Sequence, residues 1–183
     1  MGGARSGKSR HAVTEARSAG RRVGFIATAR PSDPDMRARI ARHRAERPRE
    51  WVTVEEPVDI VLACRRLARQ VDVIVVDCLT LWVSNLLAES WDDDAIAGAA
   101  DGLGKLLGER LASITLVSNE VGWGVHPATA IGLRFRDALG AANQRTAAAV
   151  DRVTLMVAGL PIAIKQTSAL PDMRLDDRSP EAP

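Results

Sequence analysis

The sequence predicts an α/β fold of the phosphate-loop class, with a mostly parallel sheet covered by helices on both faces and a hairpin at its carboxyl end. Three observations carry this. Residues Gly2, Gly3, Ala4, Arg5, Ser6, Gly7, Lys8 and Ser9 satisfy the pattern Gly, four residues, Gly-Lys-Ser, and the run from Asp72 to Asp77 is apolar and closed by a carboxylate. Such runs alternate along the chain with stretches of helical periodicity, as parallel sheets require.

The opening motif has a physical logic. A polyphosphate needs many donors converging on closely spaced oxygens, and glycines let successive backbone N–H groups curl inward. Lys8 then reaches the outer phosphates. Ser9 opens the following helix and offers a hydroxyl to Mg²⁺, while the helix N-terminus adds partial positive charge. A phosphate loop is normally entered from a buried strand of about five residues, yet only Met1 stands before Gly2. The first strand of the expected sheet is therefore absent ahead of the loop, which predicts a sheet without a central member and a weakly anchored loop.

In order along the chain, Lys8 to Ala19 reads as the helix after the loop, ended by Gly20. Arg22 to Ala29 is a nearly all-apolar strand of the kind covered on both faces. The stretch from Pro31 to Pro34 starts a helix running to about Glu46, with Pro48 beyond its end. Trp51 to Glu55 is a short alternating strand, Pro57 to Arg69 a helix, and Asp72 to Asp77 the clearest buried strand. Leu79 to Glu89 and Asp93 to Leu111 are helical, parted by an acidic turn. Ile114 to Ser118 is a strand, Pro127 to Val150 a long helix, and Arg152 to Ala158 with Ile162 to Lys165 a terminal hairpin. One domain over residues 1–165 is expected, with 166–183 a polar, proline-bearing tail expected to be disordered.

Composition narrows the function. A chain of 183 residues, 46% hydrophobic and 26% charged, builds one well-cored domain. A net charge of +2 and 3% aromatic content give no footprint for nucleic-acid binding. Cys64 and Cys78 lack metal-ligand spacing and read as reduced thiols of a cytoplasmic protein, and no apolar run is long enough to span a membrane.

In a parallel sheet, ligands sit at the carboxyl ends of the strands. Asp77 occupies that rim, where it would hold Mg²⁺ directly or through water; the alternative is an N-cap for the helix beginning at Leu79. Thr28 and Glu120 lie on the same rim, and Glu120 either activates a hydroxyl or caps a turn. Six arginines, Arg37, Arg39, Arg42, Arg44, Arg47 and Arg49, crowd the helix around His43, a density suited to phosphate oxygens. Met36, Ile40 and His43 share one helical face, so His43 is expected to point inward. An inward histidine among cations has its pKa lowered in principle, and neutral imidazole is a competent nucleophile toward activated phosphorus. A packed histidine on an otherwise solvated basic helix is the plainer reading, and the one that the residues alone favour.

Taken together, Gly2 through Arg10, Ile26-Ala27-Thr28, Arg39-Ile40, His43-Arg44, Arg47-Pro48, Trp51, Thr53, Glu55 and Pro57 resemble the bifunctional adenosylcobinamide kinase/adenosylcobinamide-phosphate guanylyltransferase family of cobalamin biosynthesis. The resemblance continues through Asp77 to Trp82, Asn85-Leu86-Leu87, Asn119 to Gly122, Phe135-Arg136-Asp137, Asn143-Gln144 and Lys165. It therefore spans residues 2 to about 165 in order. The departures from the family are the absent first strand and the tail after Gln166.

The resemblance implies two reactions. A γ-phosphoryl group moves from ATP or GTP to the aminopropanol hydroxyl of adenosylcobinamide. GMP then passes from GTP, through a guanylyl-histidine, to the substrate phosphate, giving adenosylcobinamide-GDP. His43 matches the guanylylated histidine, and covalent transfer does need an imidazole among cations that neutralise the leaving pyrophosphate. The nucleotide contacts that carry over are Gly2 through Ser9, Ala27, Thr28, Ala29, Arg44, Ala45, Glu46, Arg47, Glu55 and Asp77, with Ser9 and Asp77 as Mg²⁺ ligands. The carboxylate of Glu55 could accept from the N1 and N2 donors of guanine, or simply face water. Roles for Glu120, Arg136 and Asn143 are not assigned. The resemblance further implies a RecA-like sheet and a homo-oligomer, a trimer. Two other readings use parts of the same pattern. A phosphate-loop kinase of another small metabolite would share Lys8, Ser9 and Asp77 without needing His43, whereas a non-catalytic nucleotide switch or DNA-binding module needs basic or aromatic loops that are not found.

Overall fold

The computed structural model describes residues 1–19, 21–45 and 47–167. Its first helix, α1 (Lys8–Ser18), is followed by β1 (Val23–Ala27), α2 (Pro34–Ala45), β2 (Val52–Glu55), α3 (Ile60–Leu67) and β3 (Val73–Asp77). Then come α4 (Leu79–Ala88), α5 (Asp93–Gly108), β4 (Ser113–Val117), α6 (Ala130–Ala149), β5 (Arg152–Val157) and β6 (Leu160–Gln166). Each element falls where the periodicity places it, with ends shifted by a residue or two, or trimmed by three at Pro57, Leu111 and Pro127; β4 starts one residue earlier than expected, and β6 is longer, running from Leu160 to Gln166.

The first four strands form a parallel sheet in the order β2-β1-β3-β4, and β5 and β6 form a separate antiparallel pair. β1 and β3 are the inner strands. They run in register from Val23 opposite Val73 to Ala27 opposite Asp77. Their side chains alternate between two cores, as a period of two dictates. Ile26, Ile74 and Val76 pack toward α3, α4, α5 and α6 with Ile60, Leu67, Trp82, Leu86, Leu103 and Leu139. Phe25, Val73 and Val75 pack toward Ala12 and Ala16 of α1 and toward Trp51. Each such aliphatic side chain contributes about 1.5–3 kcal/mol through burial. Trp82 is buried without an orphaned donor, because its ring nitrogen donates to the Val58 carbonyl at 2.7 Å.

Helix starts show where the fold is complete in itself. Asp59 accepts from the Leu62 amide at 3.0 Å, Asp92 from Ala95 at 2.7 Å and Thr129 from Gly132 at 3.2 Å, closing the first turns of α3, α5 and α6. Two helices lack a side-chain cap. These are α1, entered through Gly7, and α4, entered through Cys78. Both begin at the carboxyl edge of the parallel sheet. The N-cap of α4 is thus Cys78, so Asp77 does not serve as one.

Candidate active site

The phosphate loop folds as a compact turn. Gly7 sits at φ 90°, a left-handed conformation that glycine adopts without strain, and this turns the chain directly into α1. Gly2 is needed for a different reason, since a Cβ there would lie 2.6 Å from the Met156 carbonyl oxygen and from the Ser6 hydroxyl. Both ends of the loop are fastened. Gly2 bridges Asn119 on one side and Met156 on the other, with the Glu120 amide donating to the Gly2 carbonyl at 3.1 Å. The Gly159 amide, in the turn between β5 and β6, donates to the Ser6 carbonyl at 3.1 Å. The loop therefore gains from the hairpin turn and from Asn119 an anchorage that the sequence alone did not offer.

This turn forms one wall of a cavity of about 1,030 Å³. Ala4 to Ser9 line it together with Arg39, Arg42 and His43 of α2. Arg47, Asp77, Asn119 and the Ala158-Gly159 turn complete it. α2 has no fully buried residue. Only Met36, Ile40 and His43 on its inner face are half-buried, which is the stripe that their spacing predicts. The helix thus stands outside the core, and His43 lines the same cavity as the loop.

The electrostatics are those of a site prepared for anions. The Lys8 ammonium donates to the Gly3 carbonyl at 3.0 Å. Burial pushes its pKa down, Cys78 and Asp77 oppose that shift, and Arg39 adds to it. Burial also lowers the pKa of Arg47, against the pull of Asp77. The Arg47 guanidinium lies 3.8 Å over the Phe25 ring, and its buried Nε has no hydrogen-bond partner. The Ser6 hydroxyl is likewise buried without one. Half-buried cations and orphaned polar atoms around one cavity are the features that a bound polyphosphate would satisfy.

Not every residue expected at the site lines this cavity. Thr28 is fully buried, and its hydroxyl exchanges hydrogen bonds with the Cys78 carbonyl and amide, both at 2.8 Å. That clamp ties the ends of β1 and β3 together. Ala27 is buried in the core beside it, and Ala29 is half-buried just beyond. Arg44 and Glu55 form an exposed ion pair with each other and do not line the cavity. Ala45 ends α2 on its exposed side. Glu46 lies outside the described residues.

Sequence reading alone did not assign Asn119 and Asn143. Asn143, buried on α6, accepts from the Ser118 hydroxyl at 2.6 Å and donates to the Asn119 carbonyl at 3.0 Å. The Asn119 amide in turn donates to Thr80 Oγ1 at 2.9 Å. This polar network holds the segment on which Gly2 rests. Arg136 pairs with Asp137 and meets the His126 ring, away from the cavity's lining.

The model of one protein family, described as cobinamide kinase / cobinamide phosphate guanyltransferase, matches residues 1–164. The chain belongs to this family. Among its relatives, the bifunctional adenosylcobalamin biosynthesis protein CobP of Pseudomonas aeruginosa is 45% identical, over 90% of this chain and 95% of the relative. CobU proteins of the same description from Salmonella typhimurium and Escherichia coli are 40% and 36% identical, each over 90% of this chain and 97% of the relative. Family members are bifunctional enzymes, and the cavity joining a phosphate loop to an arginine-flanked histidine lies within the matched residues. No helix among the described residues is long and apolar enough to cross a membrane.

Proposed function

We propose that this cavity runs both reactions of the family on one nucleotide-binding framework, with His43 as the covalent nucleophile of the second. The observation that carries the reading is the shared wall: His43 and the loop from Ala4 to Ser9 line the same cavity. In the kinase step the loop amides and Lys8 cradle the triphosphate of ATP or GTP, and the γ-phosphoryl group moves to the hydroxyl of adenosylcobinamide. Lys8, Arg39 and Arg42 offset the charge that spreads over the transferred group.

In the transferase step a ring nitrogen of His43 attacks the α-phosphorus of GTP. A nitrogen–phosphorus bond forms, the bond to the β-phosphate bridging oxygen breaks, and pyrophosphate leaves. An oxygen of adenosylcobinamide phosphate then attacks the same phosphorus and returns the imidazole, giving adenosylcobinamide-GDP. Arg47, held flat on Phe25, offers its free N–H edge to the phosphates, and Glu55 accepts from the guanine edge once Arg44 turns to phosphate. Mg²⁺ would be held by the Ser9 hydroxyl and the Asp77 carboxylate, both on the cavity wall. It takes most of its remaining ligands from phosphate and water, so two protein ligands fit it, and it would neutralise phosphate charge. The remaining carried-over positions among the described residues, Gly2, Gly3, Ala27, Thr28, Ala29 and Ala45, belong to the frame that shapes the nucleotide seat. We also read a cytoplasmic homotrimer from the family resemblance, and the exposed apolar residues Val157, Leu160, Ile162 and Ile164 of the hairpin offer a surface for contact between subunits.

The test uses GTP labelled at the α-phosphorus. The parent protein should acquire acid-labile, base-stable label, and His43→Ala should acquire none. Label that survives this substitution removes His43 from the chemistry.

A further inference from the structure

Of the four tryptophans, Trp51 and Trp82 are buried and Trp91 packs against the main core, whereas Trp123 is 77% exposed. It stands in the segment that joins β4 to α6, where Val125 is exposed as well. A tryptophan ordinarily gives its ring to a core or to an interface, and this one has no core. The loop is nonetheless rooted in the fold. Val121 and, within α6, Phe135 pack against the main core, and Asn119 lines the nucleotide cavity. Four residues separate Trp123 from Asn119, so their Cα atoms lie at most about 14 Å apart.

The substrate of the family supplies an occupant. Cobinamide kinases act on a corrin macrocycle edged with amide arms, while a cavity of about 1,030 Å³ is of the size that one nucleotide-sized ligand fills. The macrocycle therefore lies outside it, close enough for its aminopropanol arm to enter. Three surfaces adjoin the cavity. α2 carries Arg37, Arg39, Arg42 and Arg44, and adenosylcobinamide is itself a cation, because trivalent cobalt exceeds by one the charges of the corrin ring and the adenosyl carbanion. That face repels it. The β5–β6 hairpin meets the cavity at Ala158 and Gly159, but its backbone is occupied by its own ladder and by Ser6. The β4–α6 loop differs on both counts. Among the described residues, no amide from Val121 to Ala128 donates to a backbone carbonyl, which leaves donors and acceptors for amide arms. Its charges are also balanced, since Arg134 pairs with Asp93 and Arg136 with Asp137, and Glu120 adds a carboxylate at the root.

We infer that the β4–α6 loop is the platform on which the corrinoid substrate docks, with Trp123 as its stacking surface, Val125 as an apolar flank and the loop backbone as partner of the amide arms. This placement presupposes the nucleotide seat proposed above. A macrocycle on the indole brings its hydroxyl-bearing arm toward Asn119 and so toward the phosphates.

Equilibrium dialysis of adenosylcobinamide against the full chain, without nucleotide and read by corrinoid absorbance, tests the assignment. Trp123→Ala should bind about 10–100-fold more weakly than the parent, and Trp123→Phe within about threefold of it. Leu111→Ala, which removes another exposed apolar side chain before the amino end of β4, should stay within about twofold. Both alanine variants should melt within about 2 °C of the parent. Kinase assays should show the same split, with the KM for adenosylcobinamide raised in Trp123→Ala and the KM for ATP unchanged. Where binding without nucleotide is too weak to follow, this split decides. Dialysis uses no nucleotide and the labelling of His43 uses no corrinoid, so the two readings fail separately. Equal corrinoid affinity and equal KM in Trp123→Ala and the parent overturn the proposal. So does an equal loss in Leu111→Ala, or a fall in the oligomer mass of Trp123→Ala with corrinoid affinity intact, because the loop would then be a contact between subunits.

Discussion

Replacing Asn143 by alanine should loosen the phosphate loop from a distance, and the cost can be worked from its contacts. The side chain is 7% exposed, accepts from the Ser118 hydroxyl at 2.6 Å and donates to the Asn119 carbonyl at 3.0 Å. Truncation leaves a buried hydroxyl and a part-buried carbonyl without these partners, at about 1–3 kcal/mol each where no water can enter. Since partial relaxation is usual, about 3 kcal/mol in total is expected. For a chain of this size that lowers the melting temperature by about 6–12 °C. Differential scanning calorimetry of Asn143→Ala against Arg145→Ala, two positions along the same helix and paired with exposed Asp101 at 3.1 Å, isolates the effect. The control should move by less than about 2 °C. Because Asn119 bridges Gly2, the KM for nucleotide should also rise in Asn143→Ala. A melting point within about 2 °C of the parent, with KM unchanged, would refute the view that this network supports the loop.

Lys8→Ala should abolish both transfer activities, because one loop seats the nucleotide for each. Kinase turnover that persists in a coupled assay would separate the two sites. Gly24→Ala should destabilise by about 1–3 kcal/mol, since the new Cβ would stand 2.4 Å from Cδ2 of buried Leu67. Gly98→Ala, on the exposed side of α5 with nothing within 4 Å of its added Cβ, should stabilise by about 0.5–1 kcal/mol, and urea melts distinguish the two outcomes. Burial pushes the Cys64 thiol up to about 12 from an ordinary value of 9.0. A raised acid pKa means that its share of stability is fully present below pH 9, where the unfolded thiol is also protonated, and is lost as pH rises from there through about 12. Both cysteines are buried, so a thiol reagent at pH 8 should titrate neither in the folded protein and both in urea.

Much of this was legible in the sequence because local pattern is what a chain displays. The apolar run ending at Asp77 had to be a covered strand, and the spacing of Met36, Ile40 and His43 marked the inner face of α2 before any contact was known. The phosphate loop announced its own conformation through glycine. What stayed hidden was docking between segments far apart in the chain. Nothing near Ser6 signals that its carbonyl meets the Gly159 amide, and no periodicity tells that Asn143 reaches across to Ser118 and Asn119. Thr28 shows the opposite difficulty. Its place at a strand end invites a ligand contact, while its hydroxyl is occupied by the backbone of Cys78, a pairing set by how β1 and β3 lie side by side.

The fastening of the glycine turn by the β5–β6 hairpin has a consequence for synthesis on the ribosome. The glycine turn waits for partners made much later, since Met156 and Gly159 are added some 150 positions after it. At ordinary elongation rates that interval is about 8–30 s. Throughout it the glycine turn lacks the hairpin that holds it, so nucleotide capture must wait until β5 and β6 have emerged.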